Sequence, residues 1–196
     1  MKTILLSQRK ERDDLLAQHY ISRHTNSSID DLLSSHLIKL ITGPRRVGKS
    51  TQALLMLRQK NFAYLNFDKQ ELLDNWNADL VMRLLNEVYP GYDYLLLDEV
   101  QNLPHWDVWV TELFRQGKNM IITGSNANML SSEMATVLTG KYLPIQMLPF
   151  SLAEFFEWHQ LDYKAILPEQ HNEAAVLNDD YLRMGGYPET VAARSL

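Results

Sequence analysis

Leu37-Ile38-Lys39-Leu40-Ile41-Thr42-Gly43-Pro44-Arg45-Arg46-Val47-Gly48-Lys49-Ser50 decides how this chain folds. Its first six residues are mostly branched and apolar, the composition of a buried strand. The next eight fit G-x-x-x-x-G-K-[ST], a loop whose backbone cradles phosphate when it joins a strand to a helix. That helix is expected over residues 50–59, where Leu54, Leu55 and Leu57 supply the apolar face.

Each position in the loop has a physical reason. Gly43 and Gly48 permit backbone angles and close approaches that a Cβ would obstruct. The amides between them can turn inward as an anion nest, and those opening the helix have no intrahelical partner. Lys49 brings a mobile charge to the β- and γ-phosphates, and Ser50 offers a hydroxyl to magnesium. The nucleotide-contacting set is therefore Gly43, Pro44, Arg45, Arg46, Val47, Gly48, Lys49, Ser50 and Thr51. For Arg45 and Arg46 two readings stand, a solvated charged loop or extra charge beside phosphate or a subunit contact.

A second apolar run, Tyr94-Leu95-Leu96-Leu97, ends in Asp98-Glu99. So apolar a run reads as a strand of a parallel sheet, and ligands bind at the carboxyl ends of such strands. There Asp98 can hold magnesium and Glu99 can polarise an attacking water. The cation is part of the argument, since two carboxylates beside a triphosphate would otherwise repel it. Alone, the pair would read equally as an acidic helix cap.

Residues 62–67 form another strand candidate, with Asp68 at its end either near the magnesium shell or as a turn residue. A helix is expected over residues 72–89. Residues 119–124 read as a further strand followed by Ser125 and Asn126. That pair is either a sensor of the γ-phosphate and lytic water or an ordinary turn and cap.

These segments together resemble the AAA-type P-loop ATPases of the extended class, in which an additional strand separates the nucleotide-binding strand from the magnesium-binding one. The closer resemblance is to a prokaryotic family marked by Ile41 to Ser50, Leu95 to Gln101, Ile122 to Asn126, Leu138 to Tyr142, Leu148 to Ser151 and Tyr181 to Glu189. The resemblance implies an α/β three-layer sandwich with a mostly parallel five-stranded sheet in the order 5-1-4-3-2. It implies ATP and Mg2+ as ligands. Lys49 and Ser50 become nucleotide residues, Ser50 and Asp98 the metal residues, Glu99 the catalytic carboxylate, and Ser125 with Asn126 the sensor. Members of the family often carry arginine after Thr-Gly as a trans-acting finger. Here Lys141 follows Thr139-Gly140, keeping the charge but losing the planar fork. Arg115 is a second candidate. Members also usually continue into a nuclease-like domain, so the organisation expected here is an N-terminal helical segment (1–36), a P-loop ATPase core (37–160) and the truncated start of a helical lid (161–196).

The remaining sequence sets bounds. At 196 residues, one domain with a substantial core is expected. With 19 basic and 24 acidic residues the net charge is −5, which gives no support to a nucleic-acid surface. Lys2, Arg9, Lys10, Arg12 and Arg23 do gather near the start, as a patch or as a solvated helix face. Absence of cysteine excludes disulfides and thiolate metal sites. No signal peptide or membrane-length apolar run is visible, so the expectation is a cytoplasmic chain with no membrane partner.

Helices are expected over residues 10–22, 29–35 and 172–184. Tyr20, Ile21 and His24 are candidates for an adenine pocket, with core packing as the alternative for the first two. Trp106, Trp109 and Leu113 recur at helical spacing as a buried face. A fifth strand is expected over residues 142–148, placed at an edge by Pro144. Ser151 and Glu154 form a capping box before Phe155 and Phe156. The six histidines show no metal-ligand spacing. Three functions follow: a magnesium-dependent ATPase acting as a switch or remodelling motor, alone or as a homo-oligomer or with a protein partner; a nucleotide-dependent binding module with little hydrolysis; and a small-molecule kinase, for which no acceptor motif is present.

Overall fold

The computed structural model describes residues 1–18, 20–21, 23–24, 28–125 and 138–193. Five strands form one sheet: β1 (Ile38–Thr42), β2 (Phe62–Asn66), β3 (Tyr94–Asp98), β4 (Asn119–Gly124) and β5 (Tyr142–Gln146). Their order is β2-β3-β4-β1-β5, the expected 5-1-4-3-2 read from the opposite edge. Every ladder is parallel. All residues of β1 and β2 are buried, as they must be when helices cover a parallel sheet. β4 sits between β1 and β3, so the additional strand lies where the resemblance put it.

The register aligns the strand ends. Thr42 pairs with Gly124 and Gln146, and Asn66 pairs with Asp98. One rim of the sheet therefore collects the phosphate loop after β1, Asp68 after β2, Glu99 after β3 and Ser125 after β4. Pro144 lies on β5, an edge strand, where its missing N–H costs least.

The helices are α1 (Lys2–Leu16), α2 (Ile29–Ser34), α3 (Lys49–Met56), α4 (Gln70–Asp74), α5 (Ala78–Val88), α6 (Trp106–Arg115), α7 (Leu152–Trp158), α8 (His171–Met184) and α9 (Pro188–Ala193). Three differ from the expected spans; α3, expected over residues 50–59, ends at Met56. The first helix starts eight residues earlier than residue 10, at Lys2, and ends at Leu16. Its early turns bury Leu5 and Gln8. The Gln8 amide donates to Asn66 O (3.1 Å) and accepts from Asn66 N (3.0 Å), on edge strand β2. Arg12 adds a hydrogen bond from Nη1 to Phe62 O.

The helix expected over residues 72–89 is two helices. Asn77 interrupts it, because its side chain accepts from Leu80 N (2.9 Å) and caps α5 in an extended backbone conformation.

The main core runs through the sheet and includes Trp106, Trp109 and Leu113. A satellite core under the C-terminal helices holds Phe150, Phe155, Phe156, Leu161, Ala174 and Val191. The Ser151–Glu154 capping box is formed at α7. Gly186 ties the end of α8 to the segment before α7, within the satellite region. Phe150 N donates to Gly186 O (2.7 Å), and a Cβ on Gly186 would lie 2.1 Å from Phe150 O. Tyr181 supports the same contact by donating to Phe150 O (2.8 Å).

Candidate functional site

The loop from Gly43 to Gly48 leaves β1 at its carboxyl end and delivers Lys49 as the first residue of α3. Gly43 is required by contact: a Cβ there would lie 2.2 Å from Met147 O. Gly48 caps α3 at φ 92°, a left-handed backbone. Val47 is buried and its carbonyl accepts from Arg23 Nη1 (3.1 Å). Arg46, at φ 66°, stands in solvent and pairs with Glu189 of α9 (3.3 Å). Thr51 lies in the first turn of α3.

Lys49 is buried, with Nζ donating to Pro44 O (3.0 Å) and lying 3.8 Å from Glu99 Oε1. Burial pulls its pKa down, partly countered by the charges of Glu99 and Asp98.

Asp98 is buried and gathers three hydroxyls. Ser50 Oγ donates to Oδ1 at 2.7 Å, Thr123 Oγ1 donates to the same oxygen, and Tyr64 OH donates to Oδ2 at 3.2 Å. Burial pushes the Asp98 carboxyl up, against the hydrogen bonds from Thr123, Ser50 and Tyr64. Burial, with the neighbouring Asp98, raises Tyr64 as well. A hydroxyl and a carboxylate in direct contact form a hard-oxygen donor pair, which suits magnesium.

Glu99 adopts φ 51°, ψ 45°, a left-handed conformation uncommon outside glycine and concentrated at functional positions. Its N–H donates to Thr123 Oγ1 (2.9 Å). Its Oε2 accepts from Gln101 Nε2 (2.6 Å) and Ser125 Oγ (2.9 Å). A polar cavity of about 150 Å³ is lined by Arg45, Asp68, Glu99, Gln101, Asn102 and Ser125. Asp68 accepts from Asn102 Nδ2 (2.7 Å) at its wall. A larger cavity of about 800 Å³ is bounded by His24, Gln52, Met147, Phe150, Gly186 and Tyr187, among others.

The structure thus brings Lys49, Ser50, Asp98, Glu99 and Ser125 to one rim. Asn126 lies outside the described residues. Of the adenine candidates, His24 borders the large cavity, whereas Ile21 packs against the satellite core. Tyr20 donates to Gln18 (3.1 Å). Arg115 and Lys141 precede β4 and β5, at the opposite rim.

Four partners escaped the sequence: Arg23, Tyr64, Gln101 and Thr123. Thr123 and Tyr64 were detectable as hydroxyls facing inward on otherwise apolar strands. Lys39, equally polar and fully buried, shows why that signal alone is weak, since its Nζ merely donates to Ser35 O.

A parallel sheet with a phosphate loop after β1 and an acidic pair after β3 defines a P-loop nucleotide-binding protein of the AAA type. Residues 35–156 match the AAA domain family AAA_14, well over half of the chain, and the chain belongs to that family. An uncharacterised protein of Haemophilus influenzae is 35% identical over 170 residues, covering 80% of this chain and 40% of that protein. An uncharacterised protein of Methanocaldococcus jannaschii is 32% identical over 173 residues, covering 84% and 38%. The chain therefore spans about two fifths of the length of these curated relatives. Among solved structures, PCH-2 of C. elegans superposes with a TM-score of 0.52 at 13% identity, covering 98% of this chain and 60% of PCH-2. A Walker-type ATPase of Pyrococcus abyssi gives 0.51 at 17% identity, covering 93% and 65%. At these identities the likeness is one of fold.

Proposed function

We propose that this chain binds ATP with magnesium at the carboxyl rim of its sheet and hydrolyses the γ-phosphate, acting as a switch or remodelling ATPase. The observation that carries the reading is the 2.7 Å hydrogen bond from Ser50 to Asp98, with Lys49 3.8 Å from Glu99. It joins the phosphate loop to the acidic strand across 48 residues of sequence.

In this reading the loop amides from Gly43 to Thr51 hold the phosphates, and Lys49 swings from Pro44 O to the β- and γ-oxygens. Ser50 and Asp98 would hold magnesium, which when bound neutralises charge on those oxygens. Glu99 accepts a proton from, or orients, the attacking water. Ser125, with Asn126, senses the γ-phosphate. The large cavity beside His24 and Gln52 receives the base.

Residues 37–160 then act as the ATPase core, 1–36 as an N-terminal helical segment and 161–196 as a helical lid segment. The Arg46–Glu189 pair links the loop to α9, which suits a switch. It equally suits the alternative, a nucleotide-dependent binding module with little hydrolysis. A second copy or a protein partner could complete the site, with Lys141 or Arg115 reaching a neighbour from the far rim. A cytoplasmic setting fits, and no described helix is long and apolar enough to cross a membrane.

The test compares the chain with Lys49→Ala and Glu99→Gln for ATP affinity and phosphate release with magnesium. Lys49→Ala should weaken ATP binding about 10- to 100-fold, the loss of a charge-assisted contact. Glu99→Gln should retain binding and lose about 10²- to 10⁴-fold in turnover. Equal, negligible release from all three despite binding would select the module.

A further inference from the structure

Val100, Gln101 and Asn102 form a 3-10 turn directly after Glu99, and Val100 is fully buried beneath it. The left-handed backbone at Glu99 and this tight turn fold the chain back on itself. As a result Gln101, two positions on, faces the Glu99 carboxylate. Its Nε2 donates to Glu99 Oε2 at 2.6 Å and lies 3.5 Å from Ser125 Oγ, which itself donates to Oε2 at 2.9 Å. One oxygen of Glu99 is thus fixed by two donors. The other, Oε1, is the one turned toward Lys49 (3.8 Å).

The opposite end of the Gln101 amide sharpens the point. Its Oε1 is buried without a hydrogen-bond partner. An unsatisfied buried acceptor is costly, and such groups concentrate where an arrangement serves something besides stability. Reversing the amide would not relieve it, because the oxygen would then face a carboxylate.

We propose that Gln101 is the positioning residue for Glu99. Resting on the hydrolytic reading above, this makes Gln101 and Ser125 a clamp on Oε2. The clamp leaves Oε1 as the single oxygen presented to water at the cavity shared with Arg45 and Asp68. Gln101 acts through Glu99 and not on the nucleotide.

The test is a double-mutant cycle. Gln101→Met keeps the volume and removes the donor, and Ser125→Ala removes the other arm of the clamp. Gln101→Met should lower kcat about 10- to 100-fold, the range for a hydrogen bond to a charged group. Its Kd for ATP should stay within about threefold, and the substitution should have no further effect in a Glu99→Gln background. Ser125→Ala should also lower kcat, with a loss that likewise vanishes in a Glu99→Gln background; its Kd for ATP is no part of the test, because Ser125 faces the γ-phosphate in the reading above. An independent readout needs no nucleotide: the Gln101 side-chain amide resonance, assigned by its disappearance in Gln101→Met, should move when Glu99 becomes alanine. A kcat within twofold of wild type, or equal losses in both backgrounds, overturns the proposal while leaving the ATPase reading intact. A wild-type chain that binds ATP yet releases no phosphate overturns that reading instead. The resonance then decides whether the clamp exists, and an unmoved signal overturns it.

Discussion

Replacing Thr123 with valine removes one hydroxyl from a position that is fully buried on β4. That hydroxyl serves both acidic residues, donating to Asp98 Oδ1 and accepting from Glu99 N (2.9 Å). Losing the first bond removes about 1.5–3 kcal/mol, the range for a hydrogen bond to a charged group. Losing the second strands a backbone N–H at a left-handed residue, costing about 1–3 kcal/mol. The new methyl returns about 1 kcal/mol through apolar burial. The net loss should be about 1.5–5 kcal/mol, lowering the thermal midpoint by about 3–20 °C for a chain of this size.

Urea unfolding followed by tryptophan fluorescence would read this directly. Thr123→Ser keeps both hydrogen bonds and should lose only about 1 kcal/mol. The deficit of Thr123→Val should also depend on pH. Burial pushes the Asp98 carboxyl up, so its protonated form favours the native state and that contribution fades as pH rises through the folded value. Deleting a donor to the carboxylate raises it further. The gap between variant and wild type should therefore widen as pH climbs above the ordinary carboxylate range. A variant that unfolds at the wild-type midpoint, or a serine variant as weak as the valine one, would refute the assignment.

Asp98→Asn should abolish that pH dependence, because the amide can still accept from Ser50 and Thr123 while carrying no charge. Thermal melts across pH should be flat where the wild type declines, and titration with magnesium should no longer strengthen ATP binding. Arg23 bonds Glu154 (2.9 Å), Val47 O (3.1 Å) and Leu148 O (2.6 Å). Arg23→Leu leaves Glu154 buried without its ion partner and should cost about 3–5 kcal/mol in chemical denaturation. Burial alone would raise Glu154, but hydrogen bonds from Arg23, Ser151 and His24 N hold it below the usual carboxylate range. Its stabilisation is therefore present at neutral pH and lost as pH falls through that depressed value, a loss Arg23→Leu should move to higher pH. Gly186→Ala forces a Cβ to within 2.1 Å of Phe150 O. It should destabilise by about 1–3 kcal/mol, with earlier protease cleavage in α8 and α9 than in the sheet.

What could be read from the sequence was what is local. Apolar runs such as Leu95-Leu96-Leu97 announce a strand covered on both faces, and the residue after such a run marks the rim where chemistry collects. The rim positions of Asp98 and Glu99 were legible for that reason, and the loop after β1 from its own glycine spacing. What stayed hidden depends on distance in space. Tyr64 meets Asp98 across 34 residues and Gln8 meets Asn66 across 58. The Tyr64 hydroxyl on an apolar strand hints that it has a partner, but neither neighbourhood says which residue that partner is. Gln101 was hidden for a different reason, since only the left-handed turn at Glu99 aims it backward. The break at Asn77 was legible in part, since Asp74, Asn75 and Asn77 are weak helix formers, but the apolar residues of 72–73 and 80–85 carried the helix reading across it.

The two flanks of the sheet have a consequence for how this domain meets other chains. On the β2 side, Gln8 occupies both main-chain groups of Asn66, and Arg12 takes the carbonyl of Phe62. On the β5 side, Pro144 breaks the row of amides. A visiting peptide therefore finds no ready template for extending the sheet, and edge-to-edge polymerisation is disfavoured by the same blocking groups. Recognition is left to helix faces and loops, which are the parts that can shift without disturbing the ladder beneath the phosphate loop.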